Sequence, residues 1–388
     1  MPSSGVIRAD IDWADPHGGE PWRFHFVHAR EVLQADHPDQ VRAVLEAVHA
    51  HAMAGRWCVG AVAFEAAPAF DAALPVHPPC TPLAWFAVFD EAMPASDGPW
   101  APAGSVAAHA HWPVVPEQGA ERAAFDAEMA QIHDHIASGD FYQINHTSTW
   151  HGRLCRGSAL ADFEAVRQAQ PKGYAAHVDA GDWQLLSVSP ELFFDWNGEQ
   201  LLCRPMKGTA ARGATPEVDA AQAQALRESP KEQAENVMIV DLMRNDLGQI
   251  CDPGSVEVAD LLRSEEHPGL RHLVSDVVGT LKPNLKWAEI LNPLLPAGSI
   301  SGAPKSSALQ VISKNETAQR GPYCGILGWI KGDTAELSVA IRTFWNAKDG
   351  ELRFGTGAGI TWGSEPSAEW EETQLKARKL ISIAGGVP

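Results

Sequence analysis

Two stretches decide the fold class: "WQLLSVSPELFFDW", residues 183–196, and "GELRFGTGAGITW", residues 350–362. Both are dense in apolar, β-branched and aromatic residues, as strands are. Working outward, "WCVGAVAFEAAPAF" at 57–70 and "LAWFAVF" at 83–89 are short and strand-like too. Residues 93–120 are rich in Pro, Ala and Gly and read as a connector between an N-terminal part, 1–115, and a larger part, 116–388. From Glu121 to Ser138, Phe125, Met129, Ile132 and Ile136 recur at the spacing of an amphipathic helix, and Gly139 ends it. Strands and helices mix without a regular βαβ rhythm, so the expected class is α+β.

Composition narrows the function. The chain has 388 residues, 45% of them hydrophobic, and 14 tryptophans, ample for a sizeable core. A formal charge of −19 argues against a nucleic-acid footprint and against attraction to anionic membrane surfaces. An anionic ligand would need a local cationic pocket built against that field. The six cysteines are scattered without a C-x-x-C pair, which reads as reduced thiols in a cytoplasmic protein. The N-terminus shows no signal peptide, and no apolar run approaches the length of a membrane span.

Several segments carry candidate chemistry. In "SPKEQAENVMIVDLMRNDLGQI", 229–250, Ser229, Pro230 and Glu232 form a helix start, with Glu232 able to close a capping box. The nearly all-apolar 237–243 predicts a buried helix, and Glu232 and Glu235 share one face. "SEPSAEWEETQLKARKL", 364–380, repeats the spacing with Glu369 and Glu372, and Lys376 lies four beyond Glu372. Two facing E-x-x-E pairs suit a hard divalent cation; each alone reads as a solvated face. "PAGSISGAPKSSALQVI", 296–312, runs from a Gly/Ser loop into a helix with Pro304 near its first position, a place for an anion or simply a capped helix. "GTGAG", 355–359, reads as backbone donors for a carboxylate or as a bulge or hairpin turn. Glu191 interrupts an apolar run, as a general acid of raised pKa or as a strand-edge residue. His272 lies in an apolar stretch, where histidines are usually hydrogen-bonded core residues. Lys207, in "RPMKGTAARG", 204–213, sits in a turn pinned by Pro205 and Gly208, either pointing into water or aimed as a nucleophile or anion clamp.

Read together, "SGDFYQINHT", "SPELFF", "PMKGTAARG", "KEQAENVMIVDLMRND", "PAGSISGAPK" and "RGPYCGILGW" resemble, in order, the chorismate-utilising enzymes over about residues 120–385. The resemblance implies mainly antiparallel sheets flanked by helices, with 116–388 as the chorismate-binding catalytic domain. It implies Mg²⁺ held by Glu235 and Glu372, with Glu232 and Glu369 alongside. Substrate carboxylates would meet Ser299, Tyr323, Arg342, Lys376 and the backbone of Gly357, Ala358 and Gly359, and His272 matches a pocket-lining histidine. Lys207 occupies the position where anthranilate synthase large subunits carry alanine and the branch that aminates chorismate at C4 carries lysine. The implied reaction gives 4-amino-4-deoxychorismate, with Lys207 as covalent nucleophile and Glu191 as general acid. No cysteine nucleophile or hydrolase triad for releasing ammonia is visible, so a separate glutamine amidotransferase subunit is the expected donor. The rivals are an anthranilate or isochorismate synthase and a non-catalytic chorismate-binding subunit.

Overall fold

Residues 183–196 form two strands, Gln184–Ser189 and Leu192–Trp196, and the two belong to different sheets. The computed structural model describes residues 7–95, 118–153, 163–267, 269–346 and 351–384. Among these, one sheet has nine strands, in the order Gly302–Ala303, Gln143–Arg153, Glu351–Thr361, Thr343–Asn346, Gln184–Ser189, Tyr174–Asp179, Arg8–Trp13, Trp22–Val27 and Met93–Pro94. The other has ten, nine of them in the order Met206–Ala211, Leu270–Gly279, Leu201–Cys203, Leu192–Trp196, Thr334–Val339, Ile326–Lys331, Trp57–Val62, Ala84–Phe89 and Glu31–Ala35, with Glu257–His267 pairing Leu270–Gly279 off that path as the tenth. The described strand pairs are antiparallel, and helices pack on the outer faces, so the fold is α+β as expected.

The sequence explains the layering. In Ala84–Phe89, Trp85, Ala87 and Phe89 enter one core with Trp13, Tyr174, Trp183, Leu185 and Leu327, drawn from both sheets. Ala84, Phe86 and Val88 face the opposite way, into the largest core, which holds Val41, Val44 and Val48 of the helix Pro38–Met53. Both faces of this strand are buried, so its sequence is a continuous apolar run rather than an alternation. Burying each large apolar side chain stabilises the fold by roughly 1.5–3 kcal/mol. A third core, with Leu186, Phe344 and Phe354, lies under the helix Pro366–Ile383.

The helix expected from Glu121 is Gln118–Ala137, with Phe125, Met129 and Ile132 buried. Gly139 follows at φ +80°, its N–H bonded to the Ile136 carbonyl at 3.0 Å. The connector lies mostly outside the described residues, as do the boundary at 115/116 and Cys155. Strands from before residue 95 are interior members of both sheets: Arg8–Trp13 lies between Tyr174–Asp179 and Trp22–Val27, and Trp57–Val62 between Ile326–Lys331 and Ala84–Phe89. Residues 355–359 are neither a bulge nor a hairpin turn. They lie within the strand Glu351–Thr361, paired in unbroken register with Gln143–Arg153. The helix Pro230–Ile250 is buried on one face only, and Val237 is 40% exposed. Among the described residues no helix is long and apolar enough to cross a membrane.

Candidate active site

The switch between sheets builds one wall. Pro190 and Glu191 join the strand of one sheet to the next strand in the other, and the Glu191 N–H donates to the Ser189 hydroxyl at 3.1 Å. Glu191 is 5% exposed; burial pushes its carboxyl up to about 7, although the Ser299 hydroxyl and the Lys207 charge oppose this.

Lys207 is presented differently from the expected turn. It lies in the edge strand Met206–Ala211, whose pairing with Leu270–Gly279 breaks register between Lys207 and Thr209. Gly208 fills the bulge at φ +80°, which suits glycine, and the bulge re-aims the neighbouring lysine. Lys207 Nζ donates to the Ser299 carbonyl at 3.2 Å. A Cβ on Gly359 would stand 2.9 Å from that nitrogen, so the glycine strand leaves room for it. Burial pulls the Lys207 pKa below its usual 10.5, and the charges of Glu235 and Glu191 oppose that pull.

Opposite stand the two helices carrying the E-x-x-E pairs, and Glu232, Glu235, Glu369 and Glu372 all line the same pocket. The Ser229 hydroxyl accepts the Glu232 N–H at 3.4 Å, while the Glu232 carboxylate lies beside Gly208. Burial, then repulsion from Glu235, raises Glu232 to about 7. Burial raises Glu369 as well, with Glu372 adding to the rise. Lys231 Nζ stands between helices, 3.9 Å from Glu235 and 3.5 Å from Glu369. Lys376 pairs with Glu372 at 2.7 Å, holding that carboxylate below its usual range, and donates to the Gly357 carbonyl at 3.0 Å.

The remaining wall is cationic and aromatic. Arg342 has φ +50°, a conformation costly for a non-glycine residue and typical of functional positions. Its Nη1 donates to Gln170 Oε1, and burial draws its pKa down to about 10. Tyr323 is 4% exposed and stacked on Trp345, the rings 4° from parallel. His272 Nδ1 lies 3.3 Å from the Gly208 carbonyl and 3.2 Å from the Thr209 hydroxyl. The carbonyl can only accept, so Nδ1 carries the proton and Nε2 a free lone pair. Burial and the nearby Arg342 charge push His272 down to about 3, so it is neutral at ordinary pH. The glycine strand closes the pocket: its pairing with Thr343–Asn346 stops at Phe354, and from Gly355 onward it is paired on one side only among the described residues.

The structure thus brings together Glu191, Lys207, Glu232, Glu235, His272, Ser299, Tyr323, Arg342, Gly357, Gly359, Glu369, Glu372 and Lys376. Ala358 is not among them; strand alternation turns its side chain into the large core. The helix start at 304–305 lies elsewhere too. Pro304 is its N-cap, and Lys305 Nζ is tied to Asp246 at 2.7 Å. Sequence reasoning missed Lys231, which the i, i+4 spacing to Glu235 announces, and Gln170, for which no local signal exists.

The chorismate binding enzyme family model matches residues 13–382. The chain belongs to the chorismate binding enzyme family. It is 38% identical over 261 residues to aminodeoxychorismate synthase component 1 of Klebsiella aerogenes, covering 67% of this chain and 57% of that one. It is also 38% identical over 275 residues to anthranilate synthase component 1 of Neisseria meningitidis, covering 71% of this chain and 55% of that one. The chain therefore spans little more than half the length of these curated relatives. Its fold matches a putative 2,3-dihydroxybenzoate-specific isochorismate synthase of Bacillus anthracis with a TM-score of 0.76 and 20% identity, over 98% of this chain and 96% of that one. Anthranilate synthase component I of Streptococcus pneumoniae gives 0.74 and 23% identity, over 98% of this chain and 91% of that one.

In this family member, four carboxyl groups converge, and burial, with mutual repulsion adding to it, raises two of them toward protonation. Lysines at 2.7–3.9 Å offset part of the charge. Such a donor set fits Mg²⁺, which takes one or two carboxylates and fills its octahedron with water and ligand oxygens. No group of three or more His, Cys, Asp or Glu side chains is arranged as a ready-made metal cage among the described residues.

Proposed function

We propose that this chain aminates chorismate at C4, giving 4-amino-4-deoxychorismate with its enolpyruvyl group intact, a step toward 4-aminobenzoate and folate. The observation that carries the reading is Lys207: a lysine held on a carbonyl rather than in an ion pair, its pKa lowered by burial, in a pocket shared with a carboxyl raised to about 7. Burial moves Lys207 toward the neutral amine and Glu191 toward the protonated acid, the two states needed to substitute a hydroxyl.

The Lys207 amine forms a bond to ring C2, the ring double bonds shift, and the C4–O bond breaks as Glu191 protonates the departing oxygen, releasing water. Ammonia then bonds to C4, the double bonds shift back, and the C2–N bond breaks with its electron pair returning to Lys207. The new ammonium on C4 gives a proton to Glu191, which resets the site. Arg342 and the Lys376 ammonium receive the substrate's carboxylates, with Ser299, Tyr323 and the one-sided edge of the glycine strand around them. His272, neutral with Nε2 unprotonated, is a hydrogen-bond acceptor here and not the acid. Glu235 and Glu372, with Glu232 and Glu369 through waters, would hold Mg²⁺, which supplies positive charge to an anionic substrate.

No cysteine lines this pocket among the described residues. Burial pushes Cys58, Cys203, Cys251 and Cys324 up, Cys251 to about 11 and Cys324 to about 12, the opposite of a thiol activated for glutamine hydrolysis. A glutamine amidotransferase subunit is the proposed donor.

One observation favours a second reading. A neutral Lys207 is also a base, and by taking a proton from water it would direct hydroxide to C2 and yield isochorismate. Product analysis with chorismate, Mg²⁺ and ammonium separates the two. Aminodeoxychorismate without pyruvate release supports the proposal; isochorismate, or anthranilate with pyruvate, overturns it.

A further inference from the structure

Arg342 is a half-buried residue whose guanidinium is held by a neutral partner. Its hydrogen bond goes to Gln170 Oε1, and no carboxylate stands within ion-pair distance among the described residues. Gln170 is itself 5% exposed, just beyond the helix Phe163–Ala169, and its Nε2 lies 3.3 Å from His267 Nδ1. His267, 2% exposed, places its Nε2 3.0 Å from Glu265 Oε1. The chemistry fixes the direction of this chain. Guanidinium can only donate, so the Gln170 oxygen must face Arg342 and its amide N–H₂ must face His267. His267 Nδ1 therefore accepts and its proton sits on Nε2, which lies 3.0 Å from a Glu265 carboxylate oxygen, close enough for charge attraction although not aligned as a hydrogen bond. Each member has one consistent orientation, which removes the amide-flip freedom of Gln170.

We infer that Gln170, oriented by His267 and Glu265, is a positioning residue that aims Arg342 at the substrate while leaving its charge unspent. This rests on the assignment of Arg342 to a chorismate carboxylate. An amide at this place holds the guanidinium as a carboxylate would, without neutralising it. The first negative charge along the chain, Glu265, is two residues removed from Arg342. The left-handed backbone at Arg342, φ +50°, shows that its direction is constrained from the main-chain side as well.

The test is chorismate affinity by calorimetry with Mg²⁺ present, alongside kcat and KM for the full chain. Gln170→Ala removes the hold, and hydrogen bonds to charged groups are worth about tenfold to a hundredfold in affinity. The expected result is a rise of that size in Kd and KM with kcat changed less. Gln170→Glu keeps an acceptor for Arg342 but pairs its charge and loses the donor to His267 Nδ1, so affinity falls at least as far. His267 also packs edge-on against His272, ring centroids 5.2 Å apart, so the reading is the coupling: His267→Ala should cost less affinity in the Gln170→Ala background than in the otherwise unmodified protein. Unchanged affinity in Gln170→Glu, or additive losses in the double variant, overturns the inference. Failure of the unmodified protein to bind chorismate overturns the functional reading itself, and this inference with it.

Discussion

At the scale of single residues, burial changes protonation in the pocket. Glu191 acts in its protonated form, so its contribution is present below its pKa and lost as pH rises through about 7. Lys207 acts neutral, so its contribution is lost as pH falls. The pH profile of kcat should be a bell whose alkaline limb belongs to Glu191. Glu191→Gln should remove that limb and lower kcat by about 10²–10⁴, read from steady-state rates across pH. Lys207→Arg keeps a cation but no neutral amine, and should leave product formation undetectable while chorismate still binds. Lys231→Met removes the ammonium 3.5 Å from Glu369, which should lower thermal stability without metal and increase the stabilisation that Mg²⁺ gives in a melting scan. Most of these residues were legible because each chemistry-bearing type stood out in an acidic chain. Gln170 was not, because an uncharged amide has meaning only beside the guanidinium that folding brings to it.

At the scale of elements, the glycines of 355–359 read as a loop from the sequence, yet they form a paired strand. Their smallness answers neighbours rather than a turn. A Cβ on Gly355 would stand 2.2 Å from the Tyr323 ring, and one on Gly359 would stand 2.9 Å from Lys207 Nζ. The two substitutions should therefore fail differently. Gly355→Ala forces a stacked ring to move, at a cost of about 1–3 kcal/mol or more, visible in denaturant melts. Gly359→Ala meets the end of a flexible side chain and should lower activity with little loss of stability. The helix starts were legible through Ser229, Pro230 and Pro366, since capping chemistry is local. The Lys207 bulge was not, because it exists only against the partner strand Leu270–Gly279.

At the scale of the whole molecule, the class α+β was legible but the pairing was not, since strand order depends on contacts far apart in sequence. The strand Gln184–Ser189 and its successor Leu192–Trp196 go to different sheets, and that division places Glu191 at the pocket. Strands from before residue 95 sit inside both sheets, so residues 116–388 alone should not unfold cooperatively, whereas the full chain should show one calorimetric transition. The central claim is that Lys207 bonds to the substrate on the way to amination. Its most direct test is intact-protein mass spectrometry after mixing with chorismate and Mg²⁺ in the absence of ammonia, followed by peptide mapping. The account predicts an adduct equal to chorismate less water, located on Lys207 and discharged as aminodeoxychorismate when ammonium is added. Turnover of chorismate with no adduct, to isochorismate or anthranilate, would contradict it.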